Sequence, residues 1–299
     1  MKCIFLLLGL VPMLGVAQDD LLSELEDSTP KKEYAYSTFK GSRLVNGHTV
    51  KTSGEGELEF IFQHRFGLTS GGWYELFGLD EAFVRLGLDY SVTDRLSVSI
   101  GRNSVDKTWD GYGKYQLLRQ AKGESASPVS LTLLGGMAYK TSPQQKDDPT
   151  LEPIDRIAYV GQAFIARKIS PAISLQLMPS WVHKNAVDKS VEENDLFALG
   201  VGGRWKVTRS MALMFEYYPR LNAPDNDQLA AQGLEKKYDA LGFGIELETG
   251  GHVFQLTLTN TNTLTERAYI AESTGSFFDG DIHMGFNITR GFQVKKPKK

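Results

Sequence analysis

Three observations predict that this chain folds as an all-β, transmembrane antiparallel β-barrel of about twelve strands. About a dozen segments alternate apolar and polar residues. The connections between them are alternately short and long. A secretion signal precedes them all. A strand turns successive side chains to opposite faces, so a period of two makes one oily face and one wet one. Closed on itself behind a signal, such a sheet faces lipid outside and water inside.

Met1 to Ala17 has the three parts of a signal peptide: Lys2, an apolar stretch from Ile4 to Leu14, and the small-residue site Gly15-Val16-Ala17. The apolar run is too short to span a bilayer, and cleavage is expected before Gln18. Cys3 lies in the removed part, which excludes disulfides, thiol nucleophiles and cysteine metal sites from the mature chain. The 33 basic and 36 acidic residues give a net charge of -3; losing Lys2 leaves 32 and 36, or -4. That balance argues against a nucleic-acid partner. A mean hydropathy of -0.26 resembles a soluble protein, but a barrel needs only alternate residues to be apolar.

Residues 18–53 are expected to form an N-terminal periplasmic or plug segment, 54–294 the barrel, and 295–299 a basic tail. Within the first of these, Leu21, Leu22 and Leu25 mark a helix-compatible patch too short to be stable alone. Asn46-Gly47 then sits between two short extended runs, Ser42 to Val45 and His48 to Val50. Both turn residues tolerate positive φ, so the dipeptide signals a tight hairpin. The pattern leaves open whether this hairpin hangs in the periplasm or folds into the lumen.

The expected strands cover 55–66, 81–92, 95–104, 109–120, 128–140, 156–168, 172–183, 196–207, 210–218, 238–248, 252–261 and 281–293. The first sets the pattern: in Glu57 to Phe66 the even positions are mostly apolar and the odd ones mostly polar. Outward faces include Leu86 and Leu88, Val98 and Ile100, Leu175 and Leu177, Phe243 and Ile245, and Phe286 and Ile288. The fourth and sixth segments alternate poorly, so the pattern admits ten to fourteen strands.

Short turns at Thr93-Asp94, Ile169 to Pro171, Thr208-Arg209 and Thr249 to Gly251 separate long segments at 67–80, 141–155, 184–195, 219–237 and 262–280. Short turns belong to the periplasmic side and long loops to the outside, which places both chain ends in the periplasm. Two connections fit less well: 105–108 is short for an external loop and 121–127 long for an internal turn. Aromatic residues fall where interfacial belts belong, with Phe66, Trp109, Tyr139, Trp181 and Phe197 outside and Tyr90, Trp205 and Phe292 inside.

Between Phe39 and Gln120 several runs are distinctive: Arg43-Leu44-Val45-Asn46-Gly47, His64-Arg65-Phe66-Gly67, Tyr74 to Asp80, Thr93 to Arg102, and Asp106 to Tyr115. This stretch resembles an uncharacterised outer-membrane β-barrel family of Bacteroidota-type bacteria. The resemblance implies an integral outer-membrane barrel, with outer-membrane lipid and the barrel-assembly machinery as partners, and carries no catalytic residues to transfer. The chain departs from many such barrels at its end. Phe292 is followed by Gln293-Val294 and a Lys-rich tail instead of standing last.

The inward parity collects charges of both signs: Glu57, Glu59, Arg65, Glu81, Arg85, Asp89, Asp110, Lys114, Arg156, Arg204, Lys206, Glu216 and Glu246. Lipid would make each costly, whereas a wet or paired interior tolerates them. A channel for small polar solutes and a closed barrel braced by internal ion pairs both fit this set. A non-conducting barrel that holds a partner on loop aromatics Trp73-Tyr74 and Phe277-Phe278 is the second function class.

The five histidines have no metal-ligand spacing, and no motif calls for a cofactor. A lipid-facing acyl hydrolase needs a serine, a base and an orienting group. His64 has no serine two residues along, and Ser180 or Ser276 could reach it only from another strand.

Overall fold

The computed structural model describes residues 32–123, 126–143 and 151–295. The signal peptide, the leucine patch before Asp27 and the last four residues of the basic tail lie outside the described residues. Twelve strands form one closed antiparallel barrel in sequential order. They are β1 Glu57–Leu68, β2 Ala82–Ser91, β3 Leu96–Asn103, β4 Trp109–Leu118, β5 Ser130–Tyr139 and β6 Ile157–Lys168. The circle continues through β7 Ile173–Lys184, β8 Asp195–Lys206, β9 Met211–Tyr218, β10 Ala240–Thr249, β11 His252–Thr259 and β12 His283–Gln293. β12 pairs with β1 from Gln293–Glu57 to His283–Leu68, with one bulge between His283 and Gly285. Closure leaves no unpaired edge among these strands.

Alternation decides which face is which. In β1, Glu59, Gln63 and Arg65 are buried inside while Phe60 and Leu68 are exposed outside. The same holds round the wall, where Leu86, Ile100, Leu177, Phe243 and Leu256 stand out of the barrel. Taking one such side chain out of water is worth about 1.5–3 kcal/mol, so this outer face needs an apolar surrounding.

The two misfit connections have structural causes. The long internal turn after β4 pairs Ala121 and Lys122 with Tyr34 and Glu33, so it docks the incoming N-terminal segment. The Ala35 N–H also donates to the Gln120 carbonyl at 2.8 Å. The short external one is closed by a tight turn at Val105–Lys107, with Asp106 and Lys107 at φ of 53° and 50°.

The weak alternation of the sixth segment also has a cause. Ala158, Val160, Phe164 and Ala166 point inward and are buried, because this part of the wall packs on protein instead of water. In β4 the inward side is polar, and Gly111 and Gly113 interrupt the outward apolar row.

Candidate functional site

The barrel is filled. From the internal end the N-terminal segment runs into the lumen, and Gly41 to Val50 is buried. It turns back as a hairpin in which Arg43 pairs with His48, the Leu44 N–H donates to the Gly47 carbonyl at 2.8 Å, and Thr49 donates to Ser42 at 2.9 Å. The tip residues are therefore Val45 and Asn46. Neither Asn46 nor Gly47 has a positive φ, which corrects the turn expected from the dipeptide. Gly47 serves close approach instead: an added Cβ would fall onto the Tyr218 hydroxyl. Gly202 and Gly242 make room in the same way for Leu44 and Val45. Gly47→Ala should therefore overpack the tip and weaken the hairpin's seat by about 1–3 kcal/mol. Earlier proteolytic release of the N-terminal segment would register the change.

The hairpin backbone is held by inward side chains of the wall. The Glu216 carboxylate on β9 accepts the N–H groups of Val45, Asn46 and Gly47 at 3.3, 2.8 and 2.9 Å. Arg65 donates to the Val45 carbonyl at 2.8 Å, to Asn46 Oδ1 at 2.9 Å and to Asn287 Oδ1 at 3.0 Å. Gln255 donates to the Arg43 carbonyl and Gln176 to that of His48, at 2.9 and 2.8 Å. Thr132 and Lys114 reach the carbonyls of Val50 and Lys51 at 2.8 and 2.6 Å. A buried backbone group left unpaired is costly, so these side chains substitute for water along the whole strip.

From the external end the connection after β11 folds back inside. Its short helix α1, Glu266–Ala271, is buried at every residue. Tyr269 packs edge-on against Tyr218 at 5.3 Å, within a cluster that includes Phe164, Met178, Val182, Leu196, Met214 and Ile270. Toward its external end the wall of β5–β9 is thus largely apolar inside, with Ala138, Val160, Val182, Leu196, Ala198 and Tyr218, contrary to the wet lumen expected from parity. The helix needs a greasy seat, and those strands supply it.

The two plugs meet at one carboxylate. Glu266 Oε1 lies 2.7 Å from Arg43 Nη1 and 2.8 Å from His48 Nε2. The Arg43 guanidinium sits 5.7 Å from the centre of the Tyr112 ring, and that tyrosine donates to Asp89. Nearby, Arg85 and Asp110 form a buried pair, with Nε to Oδ1 at 3.0 Å, and Arg204 pairs with Glu246 at 2.6 Å. At the external rim Arg267 bonds Glu272 at 2.7 Å, and Lys184 and Lys237 both bond Glu192. Burial raises the Glu272 carboxyl, but Arg267, Lys140 and Lys184 outweigh it and hold it below the ordinary glutamate value. Burial, with Lys184 adding to it, lowers Lys237 to about 8.

Of the charges expected in the lumen, Glu59, Arg65, Arg85, Asp89, Asp110, Lys114, Arg204, Glu216 and Glu246 are buried there. Glu57 and Lys206 lie at the internal ends of β1 and β8, where both are half-buried. Glu81 and Arg156 each lie one residue before their strands, at the external mouth of the barrel, where they line cavities shared with Glu272. Arg156 donates to the Ser142 carbonyl at 2.7 Å and lines a cavity of about 240 Å³ at that mouth. Glu81 is exposed.

Sequence reasoning missed Glu266 and Arg43. The available signal was Ala268-Tyr269-Ile270-Ala271, an apolar run out of place in a solvated loop. His64 faces outward and stacks on Phe286 at 5.1 Å. Ser180 points inward from β7, where it bonds Gln162, and Ser276 sits in the last external connection. The structure brings neither β1's His64 and β7's Ser180 to one face of the sheet nor Ser276 onto a strand.

A closed antiparallel barrel with an apolar outer wall and its polar groups enclosed defines a membrane-spanning β-barrel protein. Residues 39–292 match the family described as a membrane-bound beta barrel domain (DUF5777), and the chain belongs to that family. No curated protein matches the sequence. Among solved structures, an outer membrane channel from Pseudomonas putida F1 is 14% identical, with a TM-score of 0.52 over 83% of this chain and 100% of that one. The outer membrane protein Omp33 of Acinetobacter baumannii is 9% identical, with a TM-score of 0.43 over 80% of this chain and 99% of its own. At 14% identity the likeness to the Pseudomonas channel is one of fold.

Proposed function

We propose that this protein is an outer-membrane channel held shut by its own N-terminal hairpin, and that small polar solutes pass when the hairpin leaves. The carrying observation is the polar bond between hairpin and wall. Glu216, Arg65, Gln176, Gln255 and Asn287 hold backbone groups that water could equally hold. The polar part of this seat exchanges for solvent, while Phe39, Leu44 and Val50 rest in the apolar cluster and set the cost of leaving, which suits a plug that is held but removable. The wall beneath it mixes Glu59, Asp89 and Asp110 with Arg65, Arg85 and Lys114, a set that favours neither sign of solute strongly. On this reading the chain is secreted by a signal peptide cleaved near Ala17 and inserted by the barrel-assembly machinery. The resemblance between Phe39 and Gln120 supports a Bacteroidota-type outer membrane as its site.

One observation favours a second reading, a non-conducting barrel. α1 sits on an apolar cluster that water would not readily replace. Planar-bilayer recording separates the two. The full mature chain should be nearly silent, and a chain lacking residues 18–53 should conduct steadily with weak ion selectivity. Silence from the shortened chain, with heat-dependent gel mobility proving it folded, decides for the non-conducting barrel.

A further inference from the structure

The outer wall carries a feature that the lumen does not explain. A groove of about 500 Å³ crosses β9–β12 to β1 on the lipid side, a volume within the ~300–1,000 Å³ of ligand pockets. Its floor is two rungs of the sheet. One is Leu213, Ile245, Leu256 and Phe286; the other is Phe243, Leu258 and Met284. Phe66 and Phe286, 6.2 Å apart between ring centres, wall one end.

One external connection reaches down onto the groove, and a second packs against a residue of its floor. Leu79 descends from the 69–81 segment onto the Phe66 end. Phe277 lies 5.7 Å from Phe243 at the other end. The first segment holds Leu76 and Phe77 at φ of 47° and 56°, a left-handed conformation that large side chains rarely adopt. In the same two connections Trp73, Tyr74 and Phe278 are 78%, 94% and 91% exposed, and such rings favour the level of lipid headgroups.

We propose that this groove is a binding site for one acyl chain of an outer-leaflet membrane lipid, with Trp73, Tyr74 and Phe278 against its headgroup. The occupant follows from continuity. The groove opens on the wall that faces hydrocarbon, its floor is apolar side chains, and the strand backbone around it is already paired, so a chain without polar groups fits and a soluble peptide does not. The site depends on the outer wall alone, so it stands whether or not the lumen conducts.

Native mass spectrometry of protein drawn from membranes in mild detergent tests this. The unaltered protein should keep one lipid, identified by its mass. The pair Ile245→Trp and Leu258→Trp, which fills the groove, should cut the retained fraction at least fivefold. The pair Leu175→Trp and Leu177→Trp, on the lipid-facing wall of β7, should leave it unchanged, and heat-dependent mobility confirms that both variants fold. Equal loss from the two walls, no lipid on the unaltered protein, or a second copy of the chain in place of the lipid overturns the proposal.

Discussion

Glu216→Ala should release the N-terminal hairpin. The substitution strips three consecutive backbone N–H groups of their acceptor and removes the carboxylate that faces Arg65. Breaking a buried charged interaction by deleting one partner costs about 3–5 kcal/mol. At about 1.4 kcal/mol per factor of ten, that raises the released population roughly 10²- to 4 × 10³-fold. Glu216→Gln keeps one oxygen acceptor and should fall between the two. A Val45→Cys probe in a chain without Cys3 reads the effect. An impermeant maleimide should label it slowly with Glu216 present and quickly with alanine there. Equal labelling rates would show that Arg65, Gln255 and Asn287 suffice to hold the tip.

Glu266→Ala should loosen both plugs together. Arg43 is fully buried and hydrogen-bonds this carboxylate, with His48 beside the same oxygen. Removing the anion leaves the guanidinium uncompensated, again about 3–5 kcal/mol. Because one residue belongs to the hairpin's partner loop and the other to the hairpin, the expected signature is double. Trypsin added outside should cut at Arg267, and the Val45→Cys probe should become reactive. Replacing both partners, Arg43→Met with Glu266→Met, should recover much of the loss, since apolar side chains of similar size need no counter-charge. A double variant as unstable as the single one would show that the ion pair is not what joins the plugs.

Much of this fold was legible along the chain. The twelve expected segments coincide with the twelve strands to within a few residues at each end, because the period of two is local and lipid demands it on one face. Loop rhythm was legible for the same reason. Glu81 and Arg156 stand just outside their strands, at the external mouth, where parity says least. The hairpin was visible in Asn46-Gly47, but the reason for the glycine was not. It lies in Tyr218, more than 170 residues away.

The candidate site was only half legible. Parity put Glu216 and Arg65 on the inner face, yet nothing beside them in the chain names Val45 and Asn46 as their partners. Glu266 lay hidden in a segment whose length made it a loop, and the inward apolar row of β6 looked like a flaw in alternation until α1 covered it.

The sequence by itself determined a lipid-facing ribbon, its number of crossings within narrow bounds, and which side chains turn inward, since each follows from spacing between near neighbours. Only the tertiary structure decided that the interior is occupied and by what. Filling a lumen depends on which distant segments are long enough and complementary enough to enter it. That choice is made by buried carboxylates, guanidinium groups and backbone amides finding one another across the barrel, where the alternative is to be left dry and unpaired.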